Sequence, residues 1–373
     1  MATNRVQSKN LFQHLQLKGK YDNDVAYAHA QITQQSENAD EAMKKIQELL
    51  TSQNTSTDEF VATWRHVLAE AFCACKLHPL LTSAVDKVTE KIIKVPTTHC
   101  GHFNVPVFQY TPNKFQEDVK AKSKKAAYVY AHGGGAFALD ASMYKPLLAY
   151  YALELDVVVF NVDYRLAPET KCPNNVKDFY EVIKYVVKNA DSLGIDASKI
   201  AIGGESGGGY ICLGAMVLLA QNEESGLVKM AMPCIPMVDD YCFSDIAAMT
   251  EEEKESCLFN RRIWKELIAE DFEKQKSDPL LFPGKASDEL LKKFVPTVME
   301  EVEFDQYITE ATRLANRLRR AGRLLDEIVV PGARHSSTHV PSFKCFQVAM
   351  DARKLAFQHY LHEVGVSVLQ HKL

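Results

Sequence analysis

Residues 199–209 read Lys-Ile-Ala-Ile-Gly-Gly-Glu-Ser-Gly-Gly-Gly and run straight into the apolar stretch that ends at Ala220. Inside them, Gly204-Glu205-Ser206-Gly207-Gly208 has the form G-x-S-x-G. The apolar residues before it suit a strand and the run after it suits a helix. In that setting the pattern places a serine on a strained turn with its hydroxyl pointing outward. The flanking glycines let backbone and side chains pass closely there. The helix N-terminus sets backbone N–H groups beside any oxyanion that develops. An ordinary glycine-rich turn is the plainer reading of so short a pattern. A phosphate cradle is a third, but neither G-x-x-x-x-G-K-[ST] nor G-x-G-x-x-G lies near it.

Upstream, the run Ala126–Ala131 (AAYVYA) leads into His132-Gly133-Gly134-Gly135. Consecutive glycines after a strand expose N–H groups without a Cβ in the way, as a second oxyanion donor requires. Two such motifs in this order favour acyl transfer over either alone. Around them, short β-branched or aromatic runs (Phe103-Val105-Val107, Val157–Val162, Ile200–Ile202) alternate with helical stretches at Pro146–Glu154, Val176–Asn189 and Gly208–Gln221. That alternation predicts a doubly wound α/β fold with a largely parallel sheet. Residues 1–95 read as helical, from three- and four-residue spacing in Ala42-Ile46-Leu49-Leu50 and in Phe60-Trp64-Val67-Leu68-Ala71-Phe72. The charged stretch within 240–285 reads as a helical insertion. The last strands are expected at Val295–Glu301 and Glu327–Val330, followed by a long helix from Ser342 to Glu363.

With those motifs in hand, the chain resembles the hormone-sensitive-lipase-like carboxylesterases, a family that includes arylacetamide deacetylases and plant carboxylesterases. HGGGAF at 132–137, VDYRLAPE at 162–169, IAIGGESGGG at 200–209 and SDPLLFPG at 277–284 carry the likeness, over roughly residues 95–365. The resemblance implies an α/β-hydrolase fold under a helical cap. Residues 1–95 and 240–285 would then belong to the cap, and 96–239 and 286–373 to the two parts of the core. It also implies a triad in the order Ser, Asp, His. Ser206 is then the nucleophile, and Asp305 in PTVMEEVEFDQY the acid, with Glu303 and Glu301 as rivals. His335 in EIVVPGARHSS is the base, with His339 as its rival. The chain departs from the family in three places: Gln306-Tyr307 replaces Pro-Leu after the acid, Ser336-Ser337 replaces Gly-Phe after the base, and Gly207 replaces alanine after the serine.

On that reading the N–H groups of Gly207 and of Gly133, Gly134 and Gly135 hold the oxyanion, while His132 shapes the loop by hydrogen bonding. Phe137, Tyr241, Phe243 and Trp264 are expected to line the acyl pocket. VDYRLAPE reads as a structural turn. The reaction expected is hydrolysis of small or medium acyl esters through an acyl-enzyme. Amide hydrolysis needs the same triad. Relatives of the family also include a ligand receptor that lacks the histidine, a dehydratase and intramolecular acyl transferases. The resemblance leaves a homodimer open.

Composition agrees with a small-molecule partner. The 373 residues carry 43 Lys+Arg against 48 Asp+Glu, a formal charge of −5, and the first hundred residues hide no basic arm. No nucleic-acid footprint follows. No run reaches the length of a membrane span, the longest apolar one being Ile211–Ala220. Nine scattered cysteines without a C-x-x-C pair, and an N-terminus lacking an apolar signal core, predict reduced thiols in the cytoplasm. The terminal His371-Lys372-Leu373 partly matches the peroxisomal Ser-Lys-Leu address and keeps that compartment as the alternative. His335 and His339 stand four apart, but without H-E-x-x-H or a third ligand nearby no metal is expected, and no cofactor motif appears.

Overall fold

The computed structural model describes residues 56–76, 78–115, 124–240 and 251–363. The expectations for Ala42–Leu50, for Tyr241 and Phe243, and for the terminal His-Lys-Leu fall outside those residues.

Among the described residues, eight strands form one sheet in the spatial order β1-β2-β4-β3-β5-β6-β7-β8. They are β1 (Val88–Thr97), β2 (Phe103–Pro112), β3 (Lys125–Ala131), β4 (Val158–Val162), β5 (Ile195–Glu205), β6 (Met230–Cys234), β7 (Thr297–Phe304) and β8 (Leu324–Arg334). β2 runs antiparallel to β1 and to β4, and every pairing from β4 to β8 is parallel. Alternation along β3 divides the core. Ala127, Val129 and Ala131 face one cluster, while Ala126, Tyr128 and Tyr130 face the other. The first cluster is closed by helices α1 (Thr57–Lys76), α4 (Asn174–Lys188), α5 (Gly207–Gln221) and α7 (Ile308–Arg320). Helices α2 (Pro79–Val85), α3 (Lys145–Glu154) and α8 (Lys344–Ala356) close the second. Apolar area buried on both faces explains why the central strands read as continuous apolar runs.

Three readings of the sequence are corrected here. Residues 88–95 are not helical: they form most of β1, so the sheet begins before residue 96. β1 is an edge strand whose Thr89, Glu90, Lys91 and Lys94 face solvent, and its alternation is diluted by that polarity. β6 was not anticipated, because Pro233 interrupts a five-residue run; it nevertheless pairs with Gly204 in the parallel ladder. Strand β7 ends three residues later than expected, which moves the start of its C-terminal loop to Asp305.

Above the C-terminal ends of the strands lies a helical layer made from two separate segments. α6 (Glu251–Arg262) continues into a π-helical turn, Ile263–Ile268, and packs on α1. Trp64 and Phe259 approach to 4.8 Å between ring centroids, Phe60 and Phe259 to 5.8 Å, and the Arg262 guanidinium sits 4.4 Å over the Phe60 ring. Phe60 also stacks on Phe137 at 6.2 Å, so α1 touches the loop that follows β3. Arg65 fastens that contact. Its Nε donates to the Phe137 carbonyl at 2.7 Å, Nη2 to the Ala167 carbonyl at 3.0 Å, and both Nη atoms to the Glu169 carboxylate. The guanidinium accordingly holds the Glu169 carboxyl below its usual range.

Candidate active site

β5 delivers Ser206 to the top of the sheet and α5 begins at the next residue. The turn is sharp enough to force Ser206 to φ 53°, ψ −117°, outside the comfortable region for an L-residue. Backbone bonds hold it there: Ser206 N–H donates to the Cys234 carbonyl at 3.0 Å, and its own carbonyl accepts from Tyr210 N–H at 3.0 Å. Just after the turn, α5 packs closely against β3. A Cβ on Gly208 would fall 2.1 Å from the Ala131 carbonyl oxygen.

His335 and Asp305 come from the loops after β8 and β7. His335 Nε2 lies 2.8 Å from Ser206 Oγ, and His335 Nδ1 lies 2.8 Å from Asp305 Oδ2. The other carboxylate oxygen of Asp305 accepts from the Tyr307 N–H at 2.9 Å, so both of its oxygens are committed. The Asp305 side chain is 2% exposed and the His335 side chain 26%, so the imidazole is the more solvated of the two. Burial favours the neutral imidazole, but the Asp305 carboxylate, with Glu205 further off, outweighs it and raises the His335 pKa.

The rival residues go elsewhere. Glu303 accepts from Gly332 N–H at 2.9 Å. His339 is buried, with Nε2 2.8 Å from Glu205 Oε2 and Nδ1 3.1 Å from Thr338 Oγ1. Glu301 is buried on β7, where its Oε2 accepts from Thr312 Oγ1 at 2.6 Å. Burial pushes the Glu301 carboxyl up to about 8. The linkage sign is definite: between the unfolded carboxyl's pKa, about 4.5, and about 8 the unfolded chain releases a proton that the folded chain keeps, so this group lowers stability progressively as pH rises through that window. Glu301→Gln, which cannot ionise, is expected to match wild type in thermal unfolding at pH 4.5. At pH 8 it should be more stable by roughly 1–3 kcal/mol. A gain of the same size at both pH values would contradict a buried, protonated Glu301.

The loop after β3 supplies the facing wall. Gly134 and Gly135 have positive φ and are partly open to solvent, whereas Gly133 is buried. Gly133 was expected among the oxyanion donors, and here the structure corrects the sequence: its N–H donates to Tyr144 Oη at 3.0 Å and is already used. Tyr144 in turn donates to Glu205 Oε1 at 2.5 Å, tying the wall to the residue before Ser206. Burial raises the Glu205 pKa, but its contacts with His339, Tyr144 and Arg353 more than offset this and keep it an anion. His132 is buried, stacks on Tyr164 at 4.4 Å and contacts its neighbour's carbonyl through Nδ1, a loop-shaping position. VDYRLAPE holds the same wall, with Tyr164 Oη donating to the His132 carbonyl and Ala167 N–H to that of Ala136. Of the pocket candidates, Phe137 lies under Phe60. Trp264 is 1% exposed, edge-on to Tyr210 and Phe282 within the core rather than on an open surface.

One buried cluster has the donor atoms of a metal site, Cys234, Glu300 and His339. A cation already occupies it. Arg353 donates to Glu300 Oε2 at 2.6 Å and to Oε1 at 2.5 Å, and its Nη2 lies 3.1 Å from His339 Nε2. Burial also pushes the Cys234 thiol far up, away from the thiolate a metal would need. These residues fit a guanidinium, not an added ion.

A family described as alpha/beta hydrolase fold matches residues 128–339, more than half of the chain. The chain belongs to it. It is a hormone-sensitive-lipase-like α/β-hydrolase. Mouse hormone-sensitive lipase is 35% identical over 94 residues, 25% of this chain but only 12% of that protein. Ethyl acetate hydrolase of Pseudomonas putida is 27% identical over 241 residues, 64% of this chain and 73% of that protein. Among solved structures, a bacterial heroin esterase superposes with a TM-score of 0.69 at 27% identity, covering 80% of this chain and 90% of that one. Two of these relatives, the ethyl acetate hydrolase and the heroin esterase, are named for the hydrolysis of esters. No described helix is long and apolar enough to cross a membrane.

Proposed function

We propose that the protein is a serine carboxylesterase that cleaves small or medium acyl esters through an acyl-enzyme. The observation that carries this reading is the unbroken relay from Ser206 Oγ through His335 to Asp305, with both links at 2.8 Å. His335 takes the hydroxyl proton as Ser206 attacks the ester carbonyl, and Asp305 holds the imidazole in the tautomer whose Nε2 is free to accept it. The tetrahedral oxyanion meets the N–H of Gly207 and those of the Gly134–Gly135 turn. Collapse expels the alcohol, protonated by His335, and water repeats the sequence to release the acid. A ligand receptor has no need of such a relay, and the relatives named for ethyl acetate and heroin are named for esters. A helical layer fixed by aromatic packing favours short and medium chains over long ones. Cys100, Cys172, Cys212, Cys234 and Cys345 form no disulfide, which suits the reducing cytoplasm.

The test is hydrolysis of p-nitrophenyl acetate, butyrate, octanoate and palmitate, with p-nitroacetanilide beside them. Expected are turnover on the short esters, a burst of p-nitrophenol matching the enzyme concentration at early times, and much slower anilide cleavage. Folded protein that turns over none of the esters would overturn the reading.

A further inference from the structure

Tyr307 occupies an unusual place. It is the residue at the head of α7, two after Asp305, and it is 4% exposed. Its backbone N–H donates to Asp305 Oδ1 at 2.9 Å. Its ring meets the His335 imidazole edge-on, 5.3 Å between centroids at 70°. Its hydroxyl donates at 2.5 Å to Oδ1 of Asn260, a residue 1% exposed on α6. One side chain therefore touches the base, and its backbone the acid, while its far end is held by the helical layer above the site. We infer that Tyr307 is a positioning residue for His335 and that it takes its own position from α6 through Asn260.

The physical argument has two parts. The imidazole is tethered at Nδ1 by one hydrogen bond, about which it can tilt, and Nε2 must stay on the Ser206 hydroxyl to accept its proton. A ring packed edge-on removes that freedom. The ring is in turn fixed by its hydroxyl, which is buried and must keep an acceptor. That acceptor comes from a segment forty-seven residues earlier, whose own seat depends on Phe259 against Trp64 and Phe60. Leucine, the residue the resembling family carries here, offers no such hydroxyl. In this chain the seating of α6 is thereby linked to the aim of the base.

This inference rests on the proposed esterase reaction, and the experiment separates the two. Tyr307→Phe, Asn260→Ala and the double variant are compared with wild type and Ser206→Ala on p-nitrophenyl butyrate, with kcat, KM and Tm measured for each. Each single variant is expected to lower kcat about tenfold with KM within about twofold of wild type. The double variant is expected to be no worse than about twofold below either single one, because both changes cut the same link. Wild-type kcat in both single variants, with only Tm reduced, would make the pair mere packing and overturn the inference. So would a raised KM at unchanged kcat, or losses that multiply in the double variant. A fluorophosphonate supplies a reading independent of ester turnover: Ser206 Oγ displaces fluoride, an O–P bond forms and the proton passes to His335. Slower labelling of Tyr307→Phe than of wild type supports the inference even if no ester is cleaved, an outcome that would overturn the esterase reading alone. Equal labelling rates overturn the inference and leave that reading standing.

Discussion

Ser206→Ala is expected to lower kcat for p-nitrophenyl butyrate by about 10⁴–10⁶-fold while the fold and Tm stay near wild type. In the proposed mechanism the Ser206 hydroxyl forms the acyl bond, and nearby buried groups among the described residues are engaged elsewhere. His339 faces Glu205, and Cys234 is buried with its thiol protonated. What survives in the variant is water held against the oxyanion donors. Asp305→Asn is expected to cost about 10⁴-fold for a different reason: an amide can present its NH2 to Nδ1 and stabilise the tautomer that carries its proton on Nε2, facing the serine. The ionisation of His335 supplies a further reading on the same assays. Only neutral imidazole accepts the proton, and Asp305 raises its pKa, so wild-type kcat/KM should rise with pH through a limb lying above the ordinary 6.5. Ser206→Ala retaining more than about 1% of wild-type kcat would end the serine mechanism.

How much of this was written in the sequence depends on how local each cause is. The turn at Ser206 announces itself, because a strand, a strained residue and close-packed glycines must be contiguous in the chain. The same holds for the glycines after β3 and for the apolar runs of β3 and β4. His335 and Asp305 came only through family resemblance, since a triad is assembled from three loops and no spacing rule connects them. Gly133 was misjudged because its N–H is taken by Tyr144, eleven residues on, a partner that no short motif reveals. β1 was misread because an edge strand that faces water on one side resembles a polar helix when only apolar spacing is followed. The Tyr307–Asn260 bond was out of reach for the same reason as the triad: forty-seven residues separate its ends, and both look like ordinary surface chemistry until the fold buries them. Trp264 was read from its place in the inserted segment, and its packing against Tyr210, fifty-four residues earlier, is another contact that only the fold brings together.

Gly207→Ala carries the second large effect, and its direction runs against the family habit of alanine after the serine. A Cβ at this position would lie 2.4 Å from the Ala136 nitrogen and 2.6 Å from the Gly135 nitrogen, both backbone atoms of the turn after β3. Contacts that short cannot be kept, so the turn or the start of α5 must move by most of an ångström. Neither has room. The turn is pinned by Arg65 on the Phe137 carbonyl and by the Ala167 N–H on that of Ala136. The start of α5 is wedged by Gly208 against β3. Whichever shifts, the Gly135 N–H leaves the place where the proposed mechanism forms the oxyanion. Losing one such donor is worth about 10²–10³-fold in kcat, and that is the loss expected for Gly207→Ala, with a stability cost of about 1–3 kcal/mol from overpacking. The fall should appear in kcat more than in KM, because the donor serves a charge that exists only in the transition state. Gly226→Ala is the control, since a Cβ there meets nothing within 4 Å, and it should behave as wild type. A Gly207→Ala enzyme with wild-type kcat would show that the turn yields without losing its aim. The close approach of Gly207 to Gly135 would then be packing alone, and the oxyanion would have to be held chiefly by the N–H of residue 207 itself.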